Sequence, residues 1–310
     1  MQLLASFAMR GRSQAVMLVT VLAMLSLLFP PLSILSSSVV ALVTLRKGAT
    51  ESGLVLALAG LACGLLAWLT LAQLMPVAGF LLLLWLPVWL LALLLRNSRS
   101  LAAALAGGLV LGLLIIVGQF LQTQDLTAAW QELLEPFAQS LIEAQLVEQA
   151  HQQELNELLA VMAYWMPGIM AAGFFMQSML ALLLARWWQA TLYNPGGFRS
   201  EFHALRIHRA VAVITLLVLP LRLLMGAGEN GFWDYLALLL LLAWFLQGLA
   251  LVHGTLGKIG ASVGWLVGMY CLVLFAMPQT VTALAAAGFA DAWIDIRARL
   301  RPRQAGGGTS

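Results

Sequence analysis

The sequence predicts an all-α fold. It is a polytopic transmembrane helical bundle of about eight to ten membrane segments, some short or broken, with an amphipathic helical insertion outside the bilayer. Three observations predict it. Hydrophobic residues make up 62% of the 310-residue chain and charged residues only 9%, against roughly a quarter charged in soluble domains. The apolar residues fall in runs near the length that crosses a hydrocarbon core. The basic residues gather in alternate gaps between those runs. A soluble chain this apolar has no means of covering its surface, and a mean hydropathy of +0.94 points the same way.

The elements follow in order. Residues 1–121 form an N-terminal half with five apolar runs at 14–29, 32–45, 52–71, 77–95 and 101–121. The first ends at Pro30-Pro31, the second carries Ser36, Ser37 and Ser38, and the fourth has Pro87 in its middle. Arg10 and Arg12 before the first run resemble a signal peptide. No small-x-small cleavage site follows, so this helix is read as retained. Residues 122–157 then hold seven acids (Asp125, Glu132, Glu135, Glu143, Glu148, Glu154 and Glu157) and no lysine or arginine. Leu126, Trp130, Leu133, Phe137 and Leu141 recur there at helical spacing. This predicts an amphipathic helix or hairpin outside the bilayer, read as a cover over the outer mouth of the bundle in preference to a docking site. Residues 158–296 form the C-terminal half, with runs at 158–185, 210–225, 235–252, 259–277 and 281–294 and a polar loop from Arg186 to Arg209. Residues 297–310 are a basic, then glycine-rich tail.

Charge tests the ten runs. With the N-terminus in the cytoplasm, the cytoplasmic stretches hold Arg10, Arg12, Arg46, Lys47, Arg96, Arg99, Arg186, Arg199, Arg206, Arg209, Lys258, Arg297, Arg299, Arg301 and Arg303. That is fifteen of the sixteen basic residues, and the acidic insertion falls outside, as in a bacterial inner-membrane protein. The count also argues that 281–294 returns through the membrane. Tryptophans 68, 165, 187, 188, 233 and 293 fall near run ends, where the headgroup zone favours them. Gly60 and Gly64, Gly108 and Gly112, and Gly260, Gly264 and Gly268 have the spacing of close helix contacts.

The same composition excludes several function classes. A net charge of +3 and a pI near 9.2 reflect loop anchoring in lipid, not a nucleic-acid partner. Cys63 and Cys271 each lie within an apolar run and make no disulfide framework. His203 and His208, five residues apart with Glu201 nearby, do not share a helical face, and no HExxH or cysteine cluster exists, so no metal site is expected. No Walker loop, GxSxG or paired carboxylate is present. The chain reads as a non-enzyme with no cofactor.

Four residues qualify as candidates for solute binding. Ionisable groups inside a membrane cost roughly 2.5–3.5 kcal/mol on insertion scales. Arg222, the exception to the charge count, lies about 20 Å into its run, two residues after Pro220. It reads either as an anion site or as a snorkelling side chain paired with Glu229 or Asp234. Asp291 reads either as a carboxylate facing the bundle interior or as the start of a terminal ladder with Asp295 and Arg299. Gln247 sits mid-run and needs a partner, either as interhelical glue or as a ligand contact. His253 lies near the inner end of the same run. Arg199, Arg206 and Arg209 are candidates for contact with an acidic partner or anionic lipid.

Three stretches carry a family resemblance: Phe198-Arg199 through Leu205-Arg206, Phe245-Leu-Gln-Gly-Leu-Ala-Leu-Val-His253, and Phe289-Ala-Asp-Ala-Trp-Ile-Asp-Ile-Arg297. With the acidic outer segment, they resemble the YybS-like family of bacterial membrane proteins, a domain of unknown function, over nearly the whole chain. That family is grouped with the substrate-binding S components of energy-coupling-factor transporters. The resemblance implies an S-component-like helical core with both termini cytoplasmic. It also implies a vitamin or metal ion as substrate and a membrane partner bearing ATPases. This chain is longer than a six-helix S component and carries an extra outer segment. The function expected is therefore a small-solute binding or transport subunit. The alternative is a non-transporting scaffold that organises envelope or cytoplasmic partners.

Overall fold

The computed structural model describes residues 2–72, 74–123, 125–146, 151–226 and 231–299. Glu148, Glu229, Arg301 and Arg303 lie outside them. All ten apolar runs are helical in the main, and the described chain has no strands. Its contacts divide into two compact units. The larger is Met1–Gly108, Met176–Ala212 and Leu242–Ser310; the smaller is Leu109–Phe175 and Val213–Leu241.

The larger unit begins with α1 (Gln2–Arg10), α2 (Arg12–Ser26), α3 (Leu32–Lys47) and α4 (Ala49–Leu71). The short α3 is the centre of this group and packs on α2, α4 and α6 (Leu86–Ser98). Its serines explain how a polar run survives there. Ser36, Ser37 and Ser38 are fully buried, and each finds a carbonyl: Val19, Leu84 and Ile34 respectively. Before α6, α5 (Met75–Gly79) passes into a π-helical stretch, Phe80–Trp85. Pro87 has no N–H to donate back along the helix, and the wider turn joins Leu86 N–H to Leu81 O. Ser37 then caps the Leu84 carbonyl at 3.3 Å. The indole of Trp85, fully buried, donates to Ser36 Oγ at 3.0 Å.

α7 (Leu101–Gln122), α8 (Leu126–Glu143) and α9 (Gln152–Tyr193) follow. Asp125 caps α8 by accepting from Ala128 N–H at 2.9 Å. The buried face of α8 matches the expected one only in part. Leu126 and Ala138 are buried, whereas Leu133 and Phe137 are exposed. A shallow cleft between α8 and the first turns of α9 takes Gln131, Glu135, Ala138, Asn156 and Leu159. At 42 residues, α9 is about 63 Å long. It absorbs Glu154 and Glu157, expected in the insertion, and Arg186, expected in the loop. The loop itself contains a further helix, α10 (Gly197–His203), entered through Gly196 at φ +87°.

α11 (Arg209–Leu224) and α12 (Gly231–Ile259) precede a terminal hairpin of α13 (Gly264–Phe275) and α14 (Met277–Ile294), then α15 (Ile296–Arg299). The run at 259–277 is shorter than expected. α12 continues to Ile259, Gly260 ends it at φ +64°, and α13 keeps only 12 residues, about 18 Å. That is well short of a hydrocarbon core of about 30 Å. Gly264 and Gly268 have no neighbouring helix against them, and Gly64 has open space. Gly60 and Gly112 do lie against neighbouring side chains, Leu81 and Leu239, and backbone meets backbone between Gly248 on α12 and Gly288 on α14. A Cβ on Gly248 would lie 2.6 Å from the Leu284 carbonyl carbon, and one on Gly288 2.6 Å from Gly248 N. Trp188 is buried within the protein, at 1% exposure.

Candidate functional site

In the larger unit, α9, α10, α12 and α13 line a half-open cavity of about 630 Å³. Small-molecule sites commonly span roughly 300–1,000 Å³. Leu180, Leu183, Leu246, Leu249 and Leu266 line its apolar side. Its polar end carries Arg199, His203, His253 and Tyr270. No lining residue is acidic, so the polar end suits a hydrogen-bond acceptor or an anion.

Backbone geometry sets this end. Gly254 and Gly257 lie one turn apart on α12 and seat α10. A Cβ at Gly257 would meet His203 Cε1 at 3.0 Å and Arg199 Nη2 at 3.4 Å. The Leu249 carbonyl only accepts, so its 2.9 Å contact with His253 Nδ1 places the proton on that nitrogen. His253 Nε2 is then the acceptor for Tyr270 Oη at 3.3 Å. Phe202 meets the same imidazole edge-on at 5.6 Å between centroids. Removal from water, and then the nearby Arg199 guanidinium, hold His203 below the ordinary histidine pKa. His203 is therefore neutral at pH 7 and Arg199 supplies the fixed positive charge.

The other candidates fall elsewhere. Gln247 is fully buried. Its oxygen accepts from Ile207 N–H at 2.6 Å and its amide donates to Gly288 O at 2.7 Å. It joins the 207 segment, α12 and α14 beside the Gly248–Gly288 crossing. Asp291, 2% exposed, does not form the expected ladder, because the helix ends at Asp295 with φ 47°. Its carboxylate instead accepts from Arg297 Nη2 at 2.8 Å and Nε at 3.2 Å, and from Ile296 N–H at 2.9 Å. Arg297 also donates to the carbonyls of His203 and Leu205, and Lys258 donates to Arg297 O at 2.8 Å. Asp295 pairs with Arg206, and that hydrogen bond holds its carboxyl below the usual range. Arg209 is exposed. Gln247 and Asp291 thus fix the segment after α10 and line none of the cavities described here.

In the smaller unit, Arg222 pairs with Asp234, whose side chain is fully buried, and Tyr164 donates to the same carboxylate. Tyr235 donates to Tyr164 O at 2.6 Å. Arg222 is therefore held in an ion pair within its own unit. A larger groove of about 860 Å³ runs along α13 and α14 past Trp265, Leu272 and Phe275. Trp265 and Phe275 are exposed, as residues facing lipid are, and no charged residue lines the groove.

Sequence reasoning placed His253 and Arg199 in different roles, whereas the fold puts them in one cavity. Tyr270 and the Gly254–Gly257 seat had no sequence signal beyond spacing.

The fold and cavity define an all-α polytopic membrane protein with an amphipathic cleft whose polar residues Arg199 and Tyr270 are exposed. Residues 17–292 match the family model described as "Predicted membrane protein (DUF2232)", and the chain belongs to that family. No curated protein and no solved structure matches it.

Proposed function

We propose that this chain is an S-component-like solute-binding subunit of a transporter. In this reading it resides in the bacterial inner membrane with both termini cytoplasmic. Its solute is a small amphipathic molecule with an anionic or acceptor-rich head. The observation that carries the reading is the cavity between α9, α10, α12 and α13, where an apolar wall faces Arg199, His253 and Tyr270 without any acid. Arg199 neutralises the head, Tyr270 donates once it leaves His253, and the leucines take the body. The arginines assigned to one side by charge count support the orientation. Arg46, Arg96, Arg99 and Arg186 share one pocket, and Arg206, Lys258 and Arg297 share one network. A membrane partner with ATPase subunits would supply the energy.

The test is thermal stabilisation of the purified full chain by fractions of a cell extract. The proposal expects a fraction that stabilises the wild type and acts at least several-fold more weakly on Arg199→Gln and His253→Leu. If no fraction does so, and crosslinking recovers a stoichiometric protein partner unaffected by those changes, the chain is a scaffold and the proposal fails.

A further inference from the structure

A second pocket of about 370 Å³ in the larger unit gathers Arg46, Arg96, Arg99 and Arg186 with a single acid, Glu201. These side chains come from the last turn of α3, the end of α6 and the body of α9. Three features separate them from ordinary helix-end charges. Arg96 is fixed by donating from Nη1 to Leu45 O at 2.7 Å and Thr44 O at 3.3 Å, which suits the negative end of α3 and leaves its other donors free to face the pocket. Arg46 stacks over Tyr193 with its guanidinium carbon 4.2 Å from the ring centroid, so its orientation is set without using a hydrogen bond. Arg99 ends α6 at φ 53°, a conformation disfavoured for a residue with a Cβ, at a position where glycine is the common choice. Arg186 is paired with Glu201. Among the described residues no carboxylate pairs with Arg46, Arg96 or Arg99, and the pocket carries three uncompensated positive charges.

We propose that this pocket binds a phosphate group. A carboxylate is filled by one arginine fork, as Glu201 is by Arg186. A phosphate has acceptor oxygens in several directions and matches guanidinium groups arriving from three helices. The phosphate belongs either to an anionic lipid headgroup or to a soluble phosphate compound. The site shares no arginine with the solute cavity, so it stands or falls separately from the reading above.

The full chain, purified in an uncharged detergent and phosphate-free buffer, is titrated with inorganic phosphate against chloride at equal ionic strength while thermal unfolding is followed. In parallel it is placed in nanodiscs of phosphatidylcholine with phosphatidylglycerol, and retained lipid is read by native mass spectrometry. Saturable stabilisation by phosphate supports a soluble source, and selective retention of phosphatidylglycerol supports the headgroup. In either case Arg46→Gln/Arg99→Gly weakens the effect roughly tenfold or more. Arg99→Gly relieves the backbone and keeps the fold intact as a single change. Glu201→Gln removes the competing carboxylate and tightens binding several-fold. Absence of both effects in the wild type overturns the proposal. So does an effect that Arg46→Gln, Arg99→Gly and Glu201→Gln all leave unchanged.

Discussion

Replacing Asp291 by alanine strands a buried cation. The aspartate side chain is fully buried and its partner Arg297 keeps 9% of its side chain exposed. Asp291→Ala removes two contacts to Arg297 and the acceptor for Ile296 N–H. Breaking a buried pair from one side costs about 3–5 kcal/mol. Arg297 keeps the carbonyls of His203 and Leu205, which places the cost at the lower end, about 3 kcal/mol. At roughly 2 °C per kcal/mol for a chain of this size, the midpoint falls by about 6 °C. The assay is thermal unfolding of the purified chain in mild detergent, read by tryptophan fluorescence. Arg297→Met and the double variant complete a cycle, in which the double variant loses less than the two single losses together. A midpoint within about 1 °C of wild type for Asp291→Ala, or strictly additive losses, would refute a structural pair and return Asp291 to the role of a carboxylate serving a ligand.

Other outcomes follow from the same packing. Gly248→Ala sets a methyl against the backbone of Leu284, which no rotamer change relieves. It costs about 1–3 kcal/mol and is checked by the same unfolding assay, and Gly64→Ala, which faces open space, is its neutral control. Gln247→Leu leaves Ile207 N–H without its acceptor and removes the side-chain donor to Gly288 O, which keeps its place in α14, and it loses about 1–3 kcal/mol. Arg222→Ala leaves the buried Asp234 with Tyr164 but without its cation, and the midpoint falls more than in Tyr164→Phe. The His203 pKa is lowered on folding by burial and then by Arg199. The unfolded chain therefore binds the proton first. Stability contributed by neutral His203 is present above the unfolded pKa of about 6.5 and declines as pH falls through it. A pH series of unfolding midpoints should flatten in His203→Gln.

Much of the architecture was legible in the sequence because lipid imposes a simple rule. Backbone groups must pair within helices, so each apolar run is a helix. Arginines from the ends of separate helices do converge in the larger unit. What run length does not carry is where a helix stops. α9 begins in the polar stretch at Gln152, passes through Pro167 and runs to Tyr193 before Asn194-Pro195, while Gly260 cuts the run at 259–277 to 12 helical residues. Nor does spacing say which glycines touch. The stripe of Gly260, Gly264 and Gly268 has the familiar interval, yet the crossing uses Gly248 and Gly288, forty residues apart in the chain. Asp291 was ambiguous because its partner, Arg297, lies beyond a helix break that a four-residue ladder assumes away. The cavity depends on α10 folding under α12, a tertiary event with no periodic signal.

The most direct test is an experimental structure of the full chain prepared with a stabilising extract fraction. Non-protein density is expected between α10 and α12, with its polar end against Arg199 and Tyr270 and its body along Leu249 and Leu266. A cavity filled by side chains, or solute density found only elsewhere while this cavity stays empty, would contradict the proposed solute-binding role.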